Sequence, residues 1–168
     1  DHVIDPEKYF IVCANILGSC YGSTGPLSVN PVTKQPYYNN FPLLTIRDMV
    51  KAHILLRQHL GITKIFLLMG GSMGGYQAME WCVMENTVIE NLLLLATSAS
   101  ESAWGIATHT AQRLSLEADA TWNTASATAG AKGLKAARAI GMLTYRNYGI
   151  MVQQQTDADT EKRSEEHT

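Results

Sequence analysis

The chain has 168 residues, of which 46% are hydrophobic and 17% charged, and 13 Lys and Arg against 15 Asp and Glu leave a net charge of −2. That length suits one domain with one core, and the balance is that of a globular chain rather than a disordered one. Without a basic block or stripe nothing invites nucleic acid or an anionic membrane, and the longest apolar runs are far too short to span a bilayer.

Taken in chain order, Tyr9-Phe10-Ile11-Val12-Cys13-Ala14-Asn15 is a short apolar run ending before Gly18, which predicts a buried strand. A loop dense in Gly, Ser, Pro and Asn follows from about Leu17 to Leu44, long enough to carry a function or short pieces of structure of its own. Thr45 then reads as a helix N-cap with Asp48 as its capping-box partner. Ile46, Met49, Val50, His53, Leu56 and Leu60 recur at helical spacing up to Gly61, a C′ glycine, with Arg57 at the edge of the stripe and its head in water. Lys64 to Met69 predicts a second buried strand, and a helix follows Ser72 with Ala78, Trp81 and Cys82 inward. Leu92 to Ala96 has the uniform apolarity of a buried parallel strand. Helical segments are expected over Ala103 to Asp119 and Lys132 to Arg146, with a loop of small and polar residues between them. Trp81 and Trp104 read as packing residues. Strand, helix, strand, helix, strand is the order of an α/β fold with a parallel sheet flanked by helices.

From residue 153 onward the chain is polar and without periodicity, a disordered tail. Its last six residues, Arg163 to Thr168, match one reading frame of a common sequencing adapter, which predicts that they are not native to the protein. The absence of an initiating Met likewise predicts a fragment, and no basic segment leading into an apolar one marks it for secretion. Cys13, Cys20 and Cys82 lack metal-ligand or CxxC spacing and read as free thiols in a reducing cytoplasm.

Gly70-Gly71-Ser72-Met73-Gly74-Gly75 carries the chemistry. A G-x-S-x-G set between a strand and a helix is the nucleophile elbow: a tight turn strains the serine backbone and exposes its hydroxyl. Side chains at the flanking positions would clash across such a turn, hence Gly70 and Gly74. The backbone N–H of Met73, at the helix start, can then face an oxyanion beside Ser72 Oγ. A bare motif of this kind arises by chance in about one chain in 20 of this length, so the flanking strand and helix and the doubled glycines carry the specificity. A glycine-rich turn that only allows close packing is the competing reading, and a phosphate loop fails because no Lys-Ser or Lys-Thr follows.

Ser72 needs a base, and in this fold an acid and then a histidine follow the serine in the chain. Only His109 and His167 follow it, and their acidic neighbours, Glu101 for one and Asp157 or Asp159 for the other, lie too close in sequence to come from separate strand ends. The triad is therefore expected to be incomplete here.

Three stretches resemble the homoserine O-acetyltransferase family. They are Asn15 to Pro26 with Asn30-Pro31 and Phe41-Pro42; Thr45-Ile46-Arg47-Asp48; and Gly70 to Gly75 continuing through Gln77-Ala78-Met79-Glu80-Trp81. The likeness runs from about Asp5 to Tyr148 and makes residues 1–152 part of an α/β-hydrolase acyltransferase domain, its lid region falling in about 103–150. It implies that Ser72 accepts acetyl from acetyl-CoA, the co-substrate, and passes it to L-homoserine in methionine biosynthesis, with no bound cofactor or metal. By the same resemblance Gly133-Leu134-Lys135-Ala136-Ala137-Arg138 holds the substrate-binding arginine, Arg138, whose guanidinium suits a carboxylate; Tyr145, about two helical turns onward, is expected to line the same pocket. Arg47 is expected to anchor the long loop, and His109-Thr110 departs from the family's usual Asn-Glu. The resemblance also implies a homodimer, a first oxyanion donor upstream of Asp1, and a triad Asp and His downstream of Thr168, so that these 168 residues alone would be inactive. Succinyl transfer, acylation of serine, a serine esterase, and a non-catalytic binding module remain open alternatives.

Overall fold

Thr45 opens the first long helix through a reciprocal pair of bonds with Asp48. In the computed structural model, which describes residues 4–145 and 147–155, Thr45 Oγ1 accepts from the Asp48 N–H at 3.2 Å and the Asp48 carboxylate accepts from the Thr45 N–H at 3.0 Å. The Thr45 hydroxyl donates to the same carboxylate, and these bonds hold Asp48 below the usual carboxylate range. Helix α1 spans Ile46–His59 and ends before Gly61, whose φ of 68° makes it the C′ glycine that the spacing predicts. The loop before it carries an antiparallel bridge between Val29 and Pro36 and one 3-10 turn over Tyr38–Asn40.

Strand β1, Leu68–Gly71, pairs in parallel with β2, Leu92–Leu95, in the register Leu68 to Leu92 through Gly71 to Leu95. A further parallel bridge joins Ile65 to Ile89, so the apolar run from Lys64 enters the sheet three residues before its ladder becomes regular at Leu68. Helix α2, Met73–Met84, connects the two strands and packs against both of them and against α1. Ala78 and Trp81 are buried as expected, and Cys82 is half-buried, its thiol pushed up in pKa by that burial.

Several sequence expectations need correction. Residues 9–15 form no strand: Tyr9 stacks on Phe66 at 5.2 Å between ring centres, but Phe10 is 78% exposed and the segment joins no ladder among the described residues. A β-prone segment becomes a strand only where a neighbour takes its backbone groups. Strand β2 is paired but not buried, with Leu92, Leu93 and Leu95 all exposed. Among the described elements only α2 packs on the sheet, and a parallel strand needs cover on both faces. Trp104 is exposed on its helix rather than packed.

The chain divides after Ser100 into two compact units. The second holds α3, Ala103–Glu117, α4, Ala131–Met142, and α5, Tyr148–Gln155. Gly133, Ala137 and Gly141 form the buried stripe of α4 that packs on α3, and Gln112 Nε2 donates across the pair to the Ala137 carbonyl at 3.2 Å. Asp119 starts α4 by accepting the Gly133 N–H at 2.9 Å; this bond and those from Thr121 bring its pKa down to about 2. Residues 153–155 close α5 instead of beginning the tail, and the remainder of that segment, including Arg163 to Thr168, lies outside the described residues.

Arg57 is not the solvated edge residue its position suggests. Its side chain is 12% exposed, its Nε and Nη2 meet both Glu85 oxygens at 3.2 and 2.8 Å, and Nη1 donates to the Ile62 carbonyl at 2.6 Å. Desolvation raises the Glu85 pKa, but hydrogen bonds from Trp81 Nε1 and Arg57 and the Arg57 charge outweigh it and hold the carboxyl below its usual value. A depressed folded-state pKa contributes stability that is present above the unfolded value of 4.5 and lost as pH falls through the folded one. Glu85→Gln is therefore expected to lower the melting temperature at neutral pH and to flatten its decline in acid, which thermal melts across that range read directly.

Candidate active site

Strand β1 ends at Gly71 and α2 begins at Met73, so the reversal from strand to helix is made by Ser72 alone. Its backbone sits at φ 52° and ψ −122°, a region that costs a side-chain-bearing residue about 1–3 kcal/mol and persists only where its surroundings impose it. The Ser72 N–H donates to the Leu95 carbonyl of β2 at 2.9 Å, and the Ser72 carbonyl accepts from the Gly75 N–H at 2.9 Å. The side chain makes no capping bond with α2 and the residue is exposed, so Oγ stays out of the helix's own hydrogen bonding. Met73, the first residue of α2, has no intrahelical acceptor for its N–H.

The glycines differ in what they permit. A Cβ on Gly70 would overlap the Gly74 carbonyl and come within 2.8 Å of the Gly75 nitrogen. One on Gly75 would reach the Thr97 side chain, at 2.6 Å from its Cβ. Gly74 meets no atom within 4 Å, so the expectation that both motif glycines are sterically required holds for Gly70 and moves from Gly74 to Gly75. Thr97 follows Ala96, itself at φ 48°, and its Oγ1 is buried without a hydrogen-bond partner among the described residues.

Behind the elbow runs a polar network that sequence reasoning missed. Gln77 Nε2 donates to the Met73 carbonyl at 3.3 Å, and Gln77 Oε1 lies 2.9 Å from His53 Nε2 on α1. The His53 ring stacks on Trp81 at 5.8 Å, and Trp81 Nε1 donates to Glu85 at 2.8 Å. Arg47 pairs with Glu80, tying α1 to α2 rather than anchoring the long loop. The available signal was polar residues on otherwise apolar helix faces: His53 and Arg57 on α1, Gln77 and Glu85 along α2.

The elbow brings Ser72 and Met73 together, whereas Arg138 and Tyr145 belong to the second unit. Arg138 is exposed on α4, and Tyr145 is exposed and lies past the helix end, because Thr144 Oγ1 and N–H both bond the Gly141 carbonyl and close the last turn. His109 Nδ1 stands 3.9 Å from Glu101, and Arg113 bonds the Thr110 hydroxyl at 3.0 Å. Among the described residues no three His, Cys, Asp or Glu side chains gather as metal ligands, and no helix is long and apolar enough to cross a membrane.

A strained serine between a parallel strand and a helix, its hydroxyl exposed, has the geometry of the nucleophile elbow of the α/β hydrolases, and the family model described as alpha/beta hydrolase fold matches residues 3–132. The chain belongs to that family. Within it the chain is similar to curated homoserine O-acetyltransferases: 48% identical over 98% of its length to that of Cyclobacterium marinum, and 47% over 85% to that of Carboxydothermus hydrogenoformans. It covers 47% and 38% of those two proteins, about half their length or less. Among solved structures an acetylester hydrolase from Corynebacterium glutamicum is 28% identical, with a TM-score of 0.79 over 92% of this chain and 44% of that one.

Gly70→Ala and Gly75→Ala are each expected to cost about 3 kcal/mol or more of stability, by forcing backbone or a packed side chain aside. Gly74→Ala should be neutral or stabilising by up to about 1 kcal/mol, since it removes a helical glycine without a clash. Denaturant melts of the three variants check this order.

Proposed function

We propose that the protein is a homoserine O-acetyltransferase in which Ser72 carries the acyl group. The observation that carries this reading is the Ser72 backbone, held at φ 52° with its side chain uncommitted beside the first amide of α2. The similarity to curated acetyltransferases supports the choice of reaction.

In the first half-reaction Ser72 Oγ attacks the thioester carbonyl of acetyl-CoA, the C–S bond breaks, and coenzyme A leaves as the thiol. In the second the γ-hydroxyl of L-homoserine attacks the acyl-serine, the Ser72 ester bond breaks, and Oγ recovers a proton. Both steps pass through a tetrahedral oxyanion on the same carbonyl carbon, so one donor set, with the Met73 N–H as a member, serves both. His53 does not take the base role, because its Nε2 is committed to Gln77. Arg138 binds the homoserine carboxylate bidentately, and Tyr145 lines the same pocket. No metal or bound cofactor takes part. The cytoplasm is the proposed compartment, in keeping with the free cysteines Cys13, Cys20 and Cys82, and a homodimer is the proposed assembly.

The second reading is an ester hydrolase, favoured by the likeness to the acetylester hydrolase of Corynebacterium glutamicum. Thiol release from acetyl-CoA, followed with the protein expressed from its complete reading frame, separates the two. Transfer predicts release that depends on L-homoserine and exceeds release with serine or with water alone; hydrolysis predicts the same rate with and without an amino acid. Ser72→Ala should lower turnover by about 10³-fold or more. Arg138→Met should reduce kcat/KM for homoserine by about 10- to 100-fold, mainly through KM, as expected for losing a charged hydrogen-bond pair.

A further inference from the structure

Among the described residues Gln77 is the one polar residue buried as a whole, with 5% of its surface exposed. A buried amide is costly unless its groups are paired, so its partners fix its orientation. A carbonyl can only accept, so Nε2 must face the Met73 oxygen and Oε1 must face His53. His53 then carries a proton on Nε2, and its ring plane is set by stacking on Trp81. Gln77 stands four residues after Met73, and a helical side chain leans back over the preceding turn, which brings its amide to that carbonyl.

The first turn of α2 has particular need of such a tether. It reads Met73-Gly74-Gly75, and glycine is the residue that least restricts a backbone. No atom of the surroundings comes within 4 Å of where a Gly74 Cβ would stand. An oxyanion donor is effective in proportion to how firmly it is oriented before reaction. We propose that Gln77 is a positioning residue that locks this glycine-rich turn to α1 through His53 and so aims the Met73 N–H at the oxyanion beside Ser72. The inference rests on the assignment of Ser72 and Met73 above and adds to it the residue that keeps their geometry.

The test follows modification of Ser72 by a fluorophosphonate in the protein expressed from its complete reading frame, resolving the maximal rate from the half-saturating concentration. Gln77→Met keeps volume and loses both hydrogen bonds; Gln77→Glu keeps an acceptor for His53 but cannot donate to Met73. His53→Phe keeps a ring on Trp81 and releases Oε1, so it carries the test if the Gln77 variants fold poorly. Both Gln77 variants should lower the maximal rate by about tenfold and His53→Phe by less, all with unchanged half-saturation, the pattern of a lost transition-state interaction. Glu85→Gln, which loosens the same helix pair elsewhere, should lower the melting temperature and leave the maximal rate within about twofold. A Gln77→Met rate equal to wild type, or a rate that falls only in step with melting temperature across Gln77→Met and Glu85→Gln, overturns the positioning role. An unmodified Ser72 in the wild-type protein instead overturns the assignment of the nucleophile.

Discussion

Ser72 occupies a backbone conformation that its side chain disfavours, and two backbone hydrogen bonds of 2.9 Å hold it there, beside a longer one of 3.4 Å from the Tyr76 N–H to its carbonyl. One runs from its N–H to the Leu95 carbonyl on the neighbouring strand, the other from the Gly75 N–H to its own carbonyl. Each contributes about 0.5–1.5 kcal/mol, comparable with the about 1–3 kcal/mol of strain at this φ. The elbow is therefore stable only while β2 stays in register beside β1 and α2 begins immediately after the serine. The parallel pairing, the glycine at position 70 and the small residue at 75 all serve this condition, since a side chain at either glycine would force the helix start away from the strand end.

Holding α2 in place is the task of α1. The two helices share a run of polar contacts from the Met73 carbonyl through Gln77, His53, Trp81 and Glu85 to Arg57 and the Ile62 carbonyl. Apolar burial alone would leave α2 free to slide or rotate, because Val50, Ala78 and Trp81 are the buried apolar side chains here and the sheet beneath is covered by one helix. Directional bonds between the helices fix what non-directional packing does not. The paired Arg57 and Glu85 secure one end of α2, and Gln77 secures the end next to Ser72.

Local patterns made much of this legible. The Thr45 and Asp48 box, the Gly61 stop, the parallel strand at Leu92 and the strained serine all follow from interactions between residues a few positions apart, or from a period that a short window reveals. What failed depended on partners distant in the chain. Residues 9–15 have the composition of a strand, but pairing is a property of two segments, and composition does not say whether a neighbour is present. Arg57 reads as a solvated edge residue until Glu85 is brought to it from 28 positions away. The motif places its second required glycine at 74; the structure moves the constraint one residue, to where Thr97 arrives from the end of β2. Arg138 rests on family resemblance and Tyr145 on helical spacing from it, a spacing that fails because α4 closes at Met142, and no short-range pattern around them distinguishes a carboxylate site from an exposed helix surface.

A serine strained into this geometry, with its hydroxyl exposed and its helix tethered from behind, is the basis of the proposal that Ser72 carries an acyl group between two partners. The most direct measurement is peptide mass mapping after the protein, expressed from its complete reading frame, meets acetyl-CoA without an acceptor. The account predicts one acetyl group on the peptide that contains Ser72, removed when L-homoserine is added and recovered as O-acetyl-L-homoserine. Acetyl found at another residue, or turnover of acetyl-CoA with homoserine that persists in Ser72→Ala, would contradict it.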